Sequence, residues 1–321
     1  MAIISAVFVG CAADIDWFTQ YLGPSTFLAW HGTYTHSILA IFFFLAAIPS
    51  FPVLRNYLRA GRGFVGSPLR AGTLWTGTFG ASVCTGMLHI AMDACQSSGV
   101  ALFWPFSSRR FAADWLPRID PWILTILIAC IAVPELFHLV SSEIGAKSKK
   151  PRGQTGAVIG LALVVLYLGA RATLHSNVIA MMESRTFHGE TPRRVRAFPE
   201  SLSPLRWHGV VETETALNRL DIDAASPSNF DPDASFRLFK PEASPALDAA
   251  RNTGVAKRFL ATAQVPKASL EKTETGYVVV LRDLRYAASG ETHREIAAVI
   301  ELDARNKVTS QEIVWARDLH R

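Results

Sequence analysis

Apolar positions fall into long, nearly unbroken runs over the first half of this chain and alternate with polar positions over much of the second. Four stretches hold the roughly 20 mostly apolar residues a membrane-spanning helix needs: residues 36–54, 71–95, 121–140 and 156–174. Residues 1–13 form a shorter fifth. Thr76, Thr78, Ser82 and Thr85 interrupt the second of the four, which predicts that it faces other helices rather than lipid. From about Glu183 the pattern changes. A basic, Pro-rich string, TPRRVRAFPESLSP, is followed by segments of strand character at 206–212, 216–222, 236–239, 276–284, 295–302 and 311–316. One helix-like stretch, 245–263, lies among them. The expected architecture is a membrane α-helical bundle of about five transmembrane helices (1–183), a linker (184–204) and a small α+β domain (205–321).

Composition supports that division. Half of the 321 residues are hydrophobic and the mean hydropathy is +0.21, too apolar for an ordinary soluble two-domain protein. The net charge of +5 is modest, and the basic residues sit in short loops between apolar runs. That placement suits membrane topology and lipid contact, not nucleic acid, which would need a continuous basic face. Cys11, Cys84, Cys95 and Cys130 form no CxxC pair, so no disulfide scaffold is implied. The string MAIISAVFVGC has the outline of a lipoprotein signal ending at Cys11 but no basic n-region, and reads better as a shortened first span.

Lys and Arg in the short loops orient the spans. Arg55, Arg59, Arg62 and Arg70 lie in one loop and Lys147, Lys149, Lys150 and Arg152 in another; with five spans these share a side, expected to be cytoplasmic. Residues 14–36, 94–120 and the α+β domain are then expected outside the cytoplasm, in a multi-pass protein of the bacterial inner membrane. The same topology gathers ionisable residues at the outer ends of the spans: Asp14 and Asp16, His31 and His36 in HGTYTHS, His89 and Asp93 in HIAMD, and Arg171 with His175. Charged groups at membrane depth are costly and normally mark function or a paired structural role. A spacing of four puts His89 and Asp93 on one helix face, able to chelate one ion. Asp14, Asp16, His31, His36, His89 and Asp93 are the candidate ligands of a divalent metal, zinc first with manganese or iron as alternatives. Such an ion would bring a bound water's pKa towards 7, with one carboxylate available as general base. Asp14, Asp16, His89 and Asp93 are the candidate catalytic groups. Arg109 and Arg110 in WPFSSRRF, together with Arg171 and His175, are candidate contacts for an anionic substrate. Glu135 and His138 fall towards the other end of their span and read as packing or a local polar pair. Each residue taken singly also fits a helix cap or an interfacial anchor; the weight lies in the set.

These strings, ADID at 13–16, HGTYTHS at 31–37, HIAMD at 89–93, SGVALFWPFSSRRFAADW at 98–115, IDP at 119–121 and YLGARATLH at 167–175, resemble the predicted membrane-bound metal-dependent hydrolases, the YdjM-like, LexA-regulated inner-membrane group. The resemblance runs over roughly residues 1–215, including PLRWHGVV at 204–211. It implies a bound divalent metal and hydrolase activity, and names no substrate; an ester or phosphoester of a lipid or envelope molecule fits the setting. Members of the group open with a further segment carrying a Thr–His pair, and have Thr three residues after the HxxxD Asp, where this chain has Gln96. If that His is a ligand in the group, the site read from this chain lacks one of its members. Residues 82–93 also approach the third motif of membrane phosphatidic-acid phosphatases, but Val83 stands where that motif holds phosphate with Arg. The competing class is a non-enzymatic membrane protein with a structural or metal-sensing polar cluster and a partner-binding α+β domain.

Overall fold

A computed structural model describes residues 2–47, 68–143, 153–289 and 295–320. The N-terminal half is helical, and the C-terminal half carries two antiparallel sheets. The chain divides into two compact units, one of Met1–Ala113, Pro241–Ala287 and Glu291–Arg321, the other of Asp114–Lys240 with Ala288–Gly290.

In the first unit, α1 (Ala2–Ala12) tightens into a 3₁₀ segment, Ala13–Leu22, and Gly23 turns the chain into α2 (Pro24–Trp30). After the HGTYTHS loop come α3 (Ile38–Ala47) and α4 (Pro68–Cys95). Val9 of α1, Ile41 and Leu45 of α3 and Ile90 of α4 form a buried cluster, closed by Val100. The helices approach closely because glycine stands at the contact. A Cβ at Gly10 would lie 2.6 Å from Thr85 Cγ2, and one at Gly86 3.0 Å from Val9 Cγ1. This contact sets the Asp-bearing 3₁₀ segment that follows α1 beside the His-bearing end of α4.

In the second unit, Asp120 caps α5 (Pro121–Glu143), accepting from Trp122 N and Ile123 N at 2.9 and 3.1 Å. Helix α6 (Gln154–Glu183) lays Val178 and Met182 on Trp207, Val211, Leu220 and Ile222 of a sheet ordered β1 (Arg194–Pro199), β2 (Arg206–Glu212), β3 (Ala216–Asp223), β4 (Phe236–Phe239). Strand β1 lies in the stretch expected to be linker. Its Pro and Arg content is that of an edge strand, which pairs on one side only.

The chain then returns to the first unit. Expected helix 245–263 is two helices, α7 (Pro245–Arg251) and α8 (Gly254–Leu260), because Thr253 stops one and caps the next, its Oγ1 accepting from Ala256 N at 3.1 Å. They cover a meander of β5 (Pro266–Lys272), β6 (Gly276–Asp283), β7 (Ile296–Asp303) and β8 (Val308–Trp315), with the short α9 (Leu284–Ser289) after β6. Strand β5, with two Lys and an initial Pro, is again an edge that periodicity did not mark. The single α+β domain expected at 205–321 is thus two sheets belonging to two units.

Two described helical stretches are long and apolar enough to cross a membrane, Ile3–Leu22 and Gln154–Glu183, and Pro121–Leu136 is a shorter apolar helix. Five spans are therefore not shown. The Thr, Ser and Gly positions of α4 dilute its apolarity, and expected span 36–54 runs beyond Ala47 into residues outside those described. The orienting basic residues, Arg70 apart, also lie outside the described residues, so the inside–outside assignment stays an expectation.

Replacing Gly10 by Ala should lower stability by about 1–3 kcal/mol through overpacking against Thr85. Adding Thr85→Ser, which removes the offending methyl and keeps the hydroxyl that donates to Ala81 O, should restore most of it. Thermal unfolding of the single and double variants measures this; an additive double variant would show that the two positions do not meet.

Candidate metal centre

The site grows from one buried carboxylate. Asp16, on the 3₁₀ segment, has a side chain wholly out of solvent, and its two oxygens meet four donors. Oδ1 lies 3.1 Å from His31 Nδ1; Oδ2 accepts from Gly32 N and Thr35 Oγ1, each at 2.9 Å, and lies 3.1 Å from His36 Nδ1. HGTYTHS supplies all four because it folds back over the 3₁₀ segment as a tight loop. Gly32 has φ +69°, and a Cβ there would lie 2.9 Å from Gly99 O, so no other residue fits without displacement.

With Nδ1 engaged by Asp16, the buried His36 ring points Nε2 the other way. Nε2 lies 3.1 Å from Asp93 Oδ2 and 3.9 Å from Asp14 Oδ1. On α4, His89 and Asp93 stand one turn apart, with His89 Nε2 3.1 Å from the same Asp93 Oδ2 and 3.7 Å from Asp14 Oδ1. Four donor atoms from three elements thus converge on one spot. His89 Nε2 and Asp93 Oδ2 are both buried, and neither makes a hydrogen bond of adequate geometry despite their separation. Asp14 closes the cluster on the solvent side, its side chain 63% exposed.

A divalent ion fits this donor set. Ligands on a tetrahedral ion at 2.0–2.1 Å are about 3.4 Å from one another, and the separations of His36 Nε2 and His89 Nε2 from the Asp14 and Asp93 oxygens run from 3.1 to 3.9 Å. The ligand atoms of Asp14, His36 and His89 lie within 4.8 Å of one another. Asp16 stands one layer out, in the place where a carboxylate orients a metal-bound imidazole through its far nitrogen. His31 shares that carboxylate and stacks on Phe27, ring centroids 4.6 Å apart.

The two arginines of WPFSSRRF part company. Arg109 is exposed beside the Phe111 ring. Arg110 turns inward and donates to His31 O, to Thr33 Oγ1 at 2.9 Å and to Ser98 O at 3.4 Å, which latches the 96–113 loop onto HGTYTHS. Burial pulls its guanidinium down to about 10, and neighbouring Arg285 adds to this, so Arg110 remains charged at neutral pH. In sequence Arg110 reads as an anion contact; the fold makes it a latch. Gly99, at φ +65°, is the sequence signal for the close approach of that loop.

Arg171 and His175 lie on α6, in the other unit. Arg171 is buried over the Trp207 ring at 4.3 Å, donating to Trp115 O at 2.9 Å and to Pro204 O, and His175 packs against the same Trp. Glu135 is exposed on α5, and the side chain of His138 lies outside the described residues.

Comparison with known proteins agrees with the motifs. A family model described as the YdjM inner membrane protein matches residues 1–178, more than half the chain. The chain therefore belongs to the YdjM inner membrane protein family. A second model, the YfhP C-terminal alpha/beta plait domain, matches residues 245–321, the stretch that forms α7 to β8. No curated protein and no solved structure gives a match.

The Arg110→Ala variant should lose about 2 kcal/mol of stability, because three half-buried acceptors lose a charged donor. Arg110→Lys should recover only part of it, since one ammonium cannot reproduce the planar fork. Thermal melts of the purified chain decide this, and full recovery with Lys would remove the latch.

Proposed function

We propose that this chain is a membrane metal-dependent hydrolase whose ion is held by His36, His89 and Asp93, with Asp14 at the open side. The convergence of Asp14 Oδ1, His36 Nε2, His89 Nε2 and Asp93 Oδ2 carries the reading. Imidazole and carboxylate donors at these separations suit zinc, and manganese or iron accept the same set. A divalent ion bound there supplies an acidified water and polarises the oxygen of an ester or phosphoester.

The protein's own groups have distinct tasks. Asp16 fixes the tautomer of His36 by accepting from Nδ1, leaving the Nε2 lone pair to face the centre. His89 and Asp93 are held rigid by their helix. Asp14 is the carboxylate with access to solvent, placed to take the proton of an attacking water. Beside it, Ile15, Phe18, Tyr21 and Leu22 are largely exposed, an apolar rim that suits a lipid or envelope substrate in an inner membrane protein. Arg109, exposed on the adjoining loop, suits the anionic group of such a substrate. The Lys and Arg bias of the short loops supports reading the chain as multi-pass, with the centre and the C-terminal domain outside the cytoplasm.

Purified in detergent under metal-replete conditions, the chain should carry about one ion per molecule by elemental analysis. His89→Ala and Asp93→Ala should lose it. Asp16→Asn should bind 10–100-fold more weakly, about the effect of removing a residue that orients a ligand. Asp14→Asn should keep the ion while hydrolysis of ester and phosphodiester probes falls about 10²–10⁴-fold. Unchanged metal content in both the His89 and Asp93 variants would sink the ligand assignment. Full metal content without turnover on any probe would favour a metal-sensing protein.

A further inference from the structure

The C-terminal plait reaches both halves of the His/Asp cluster. On one side, the Trp315 ring at the end of β8 lies 5.7 Å from that of Phe27, a residue of α2 buried in the plait's own core. Phe27 stacks nearly parallel on His31, at 15° between ring planes. His31 in turn pairs with Asp16 at 3.1 Å, and Asp16 with His36 at 3.1 Å. An unbroken line of contacts therefore runs from a plait strand to an imidazole of the centre.

On the other side, Gln264 and Arg285 of the plait both donate to Ser97 O, each at 2.6 Å. Ser97 follows Gln96, whose side chain donates to Asp93 Oδ1 at 3.3 Å and whose backbone N–H donates to Asp93 O at 3.1 Å. Arg285 is itself braced, 3.4 Å from Asp283 and donating to Tyr286 Oη at 2.9 Å. A braced guanidinium on a main-chain carbonyl fixes position more sharply than an exposed ion pair, because it is largely out of water and little entropy remains to lose.

We infer that the plait is a wall of the His/Asp centre rather than an independent module, with Trp315 and Arg285 as positioning residues for the 27–37 segment and the C-terminal end of α4. The inference rests on reading 31–36 and 89–93 as the site. Its first arm is independent of any metal: hydrogen exchange of the full-length, metal-free chain. Trp315→Leu and Arg285→Ala should raise exchange selectively, the first over 27–37 and the second over 93–98, while Trp315→Phe, which keeps a ring against Phe27, stays near wild type. The second arm is titration with Co²⁺ followed by visible absorption. Trp315→Leu and Arg285→Ala should weaken binding about 10–100-fold and alter the ligand-field bands, and Trp315→Phe should restore both. Unchanged exchange and affinity in the Leu and Ala variants would overturn the inference, as would a uniform rise in exchange over α1 and α4, which reports general destabilisation. A wild-type chain that binds no Co²⁺ but still shows the selective exchange changes overturns the metal reading and supports the positioning role.

Discussion

The structure of the site depends on the burial of one carboxylate. Taking Asp16 out of water costs several kcal/mol unless its oxygens are fully engaged, and four donors from a single loop engage them. That requirement dictates the rest. The loop must fold over the 3₁₀ segment, Gly32 must adopt a positive φ, and the two histidines must turn their Nδ1 atoms inward. Once they do, the free nitrogen of His36 has one direction left, towards His89 and Asp93.

The helical contacts upstream serve the same end. Gly10 and Gly86 remove the side chains that would hold α1 and α4 apart, and so bring a 3₁₀ segment and a helix end within reach of a common point. Arg110 then ties the 96–113 loop to the histidine loop through main-chain carbonyls, a role for which Arg's planar fork is suited and an ammonium is not. The match to the YdjM family covers the helical half and the plait match covers the end of the chain, yet one compact unit contains parts of both. One join is Phe27, an α2 residue inside the plait's core, and another is Ser97 O, which accepts from Gln264 and Arg285.

Much of this was legible in the sequence. Central strands announce themselves because one face is buried and the alternation must match it: β2, β3, β6 and β7 fall close to the expected positions. Edge strands β1 and β5 carry Pro, Arg and Lys in place of alternation, since an edge is selected to avoid further pairing, so β1 reads as linker and β5 goes unmarked inside the α+β domain. The break between α7 and α8 turns on a single Thr253 cap inside a helix-like run. Span counting went least far, because length and apolarity mark two described helical stretches and α4 mixes small polar residues into its faces.

Residue types and local spacing alone set which donors are on offer: His and Asp near the ends of apolar stretches, with His89 and Asp93 one turn apart, are imidazole and carboxylate groups wherever the chain goes. Which of them face a common point is a long-range fact. Asp16 and Asp14 are two residues apart, yet one is sealed beneath a loop and the other stands open to solvent, a difference set by the fold of residues 31–36 and not by their neighbours in sequence. Arg110 likewise reads as an anion contact until tertiary structure brings His31 O and Thr33 Oγ1 within reach. Composition fixes what a side chain can donate or accept; only packing decides which partner reaches it first.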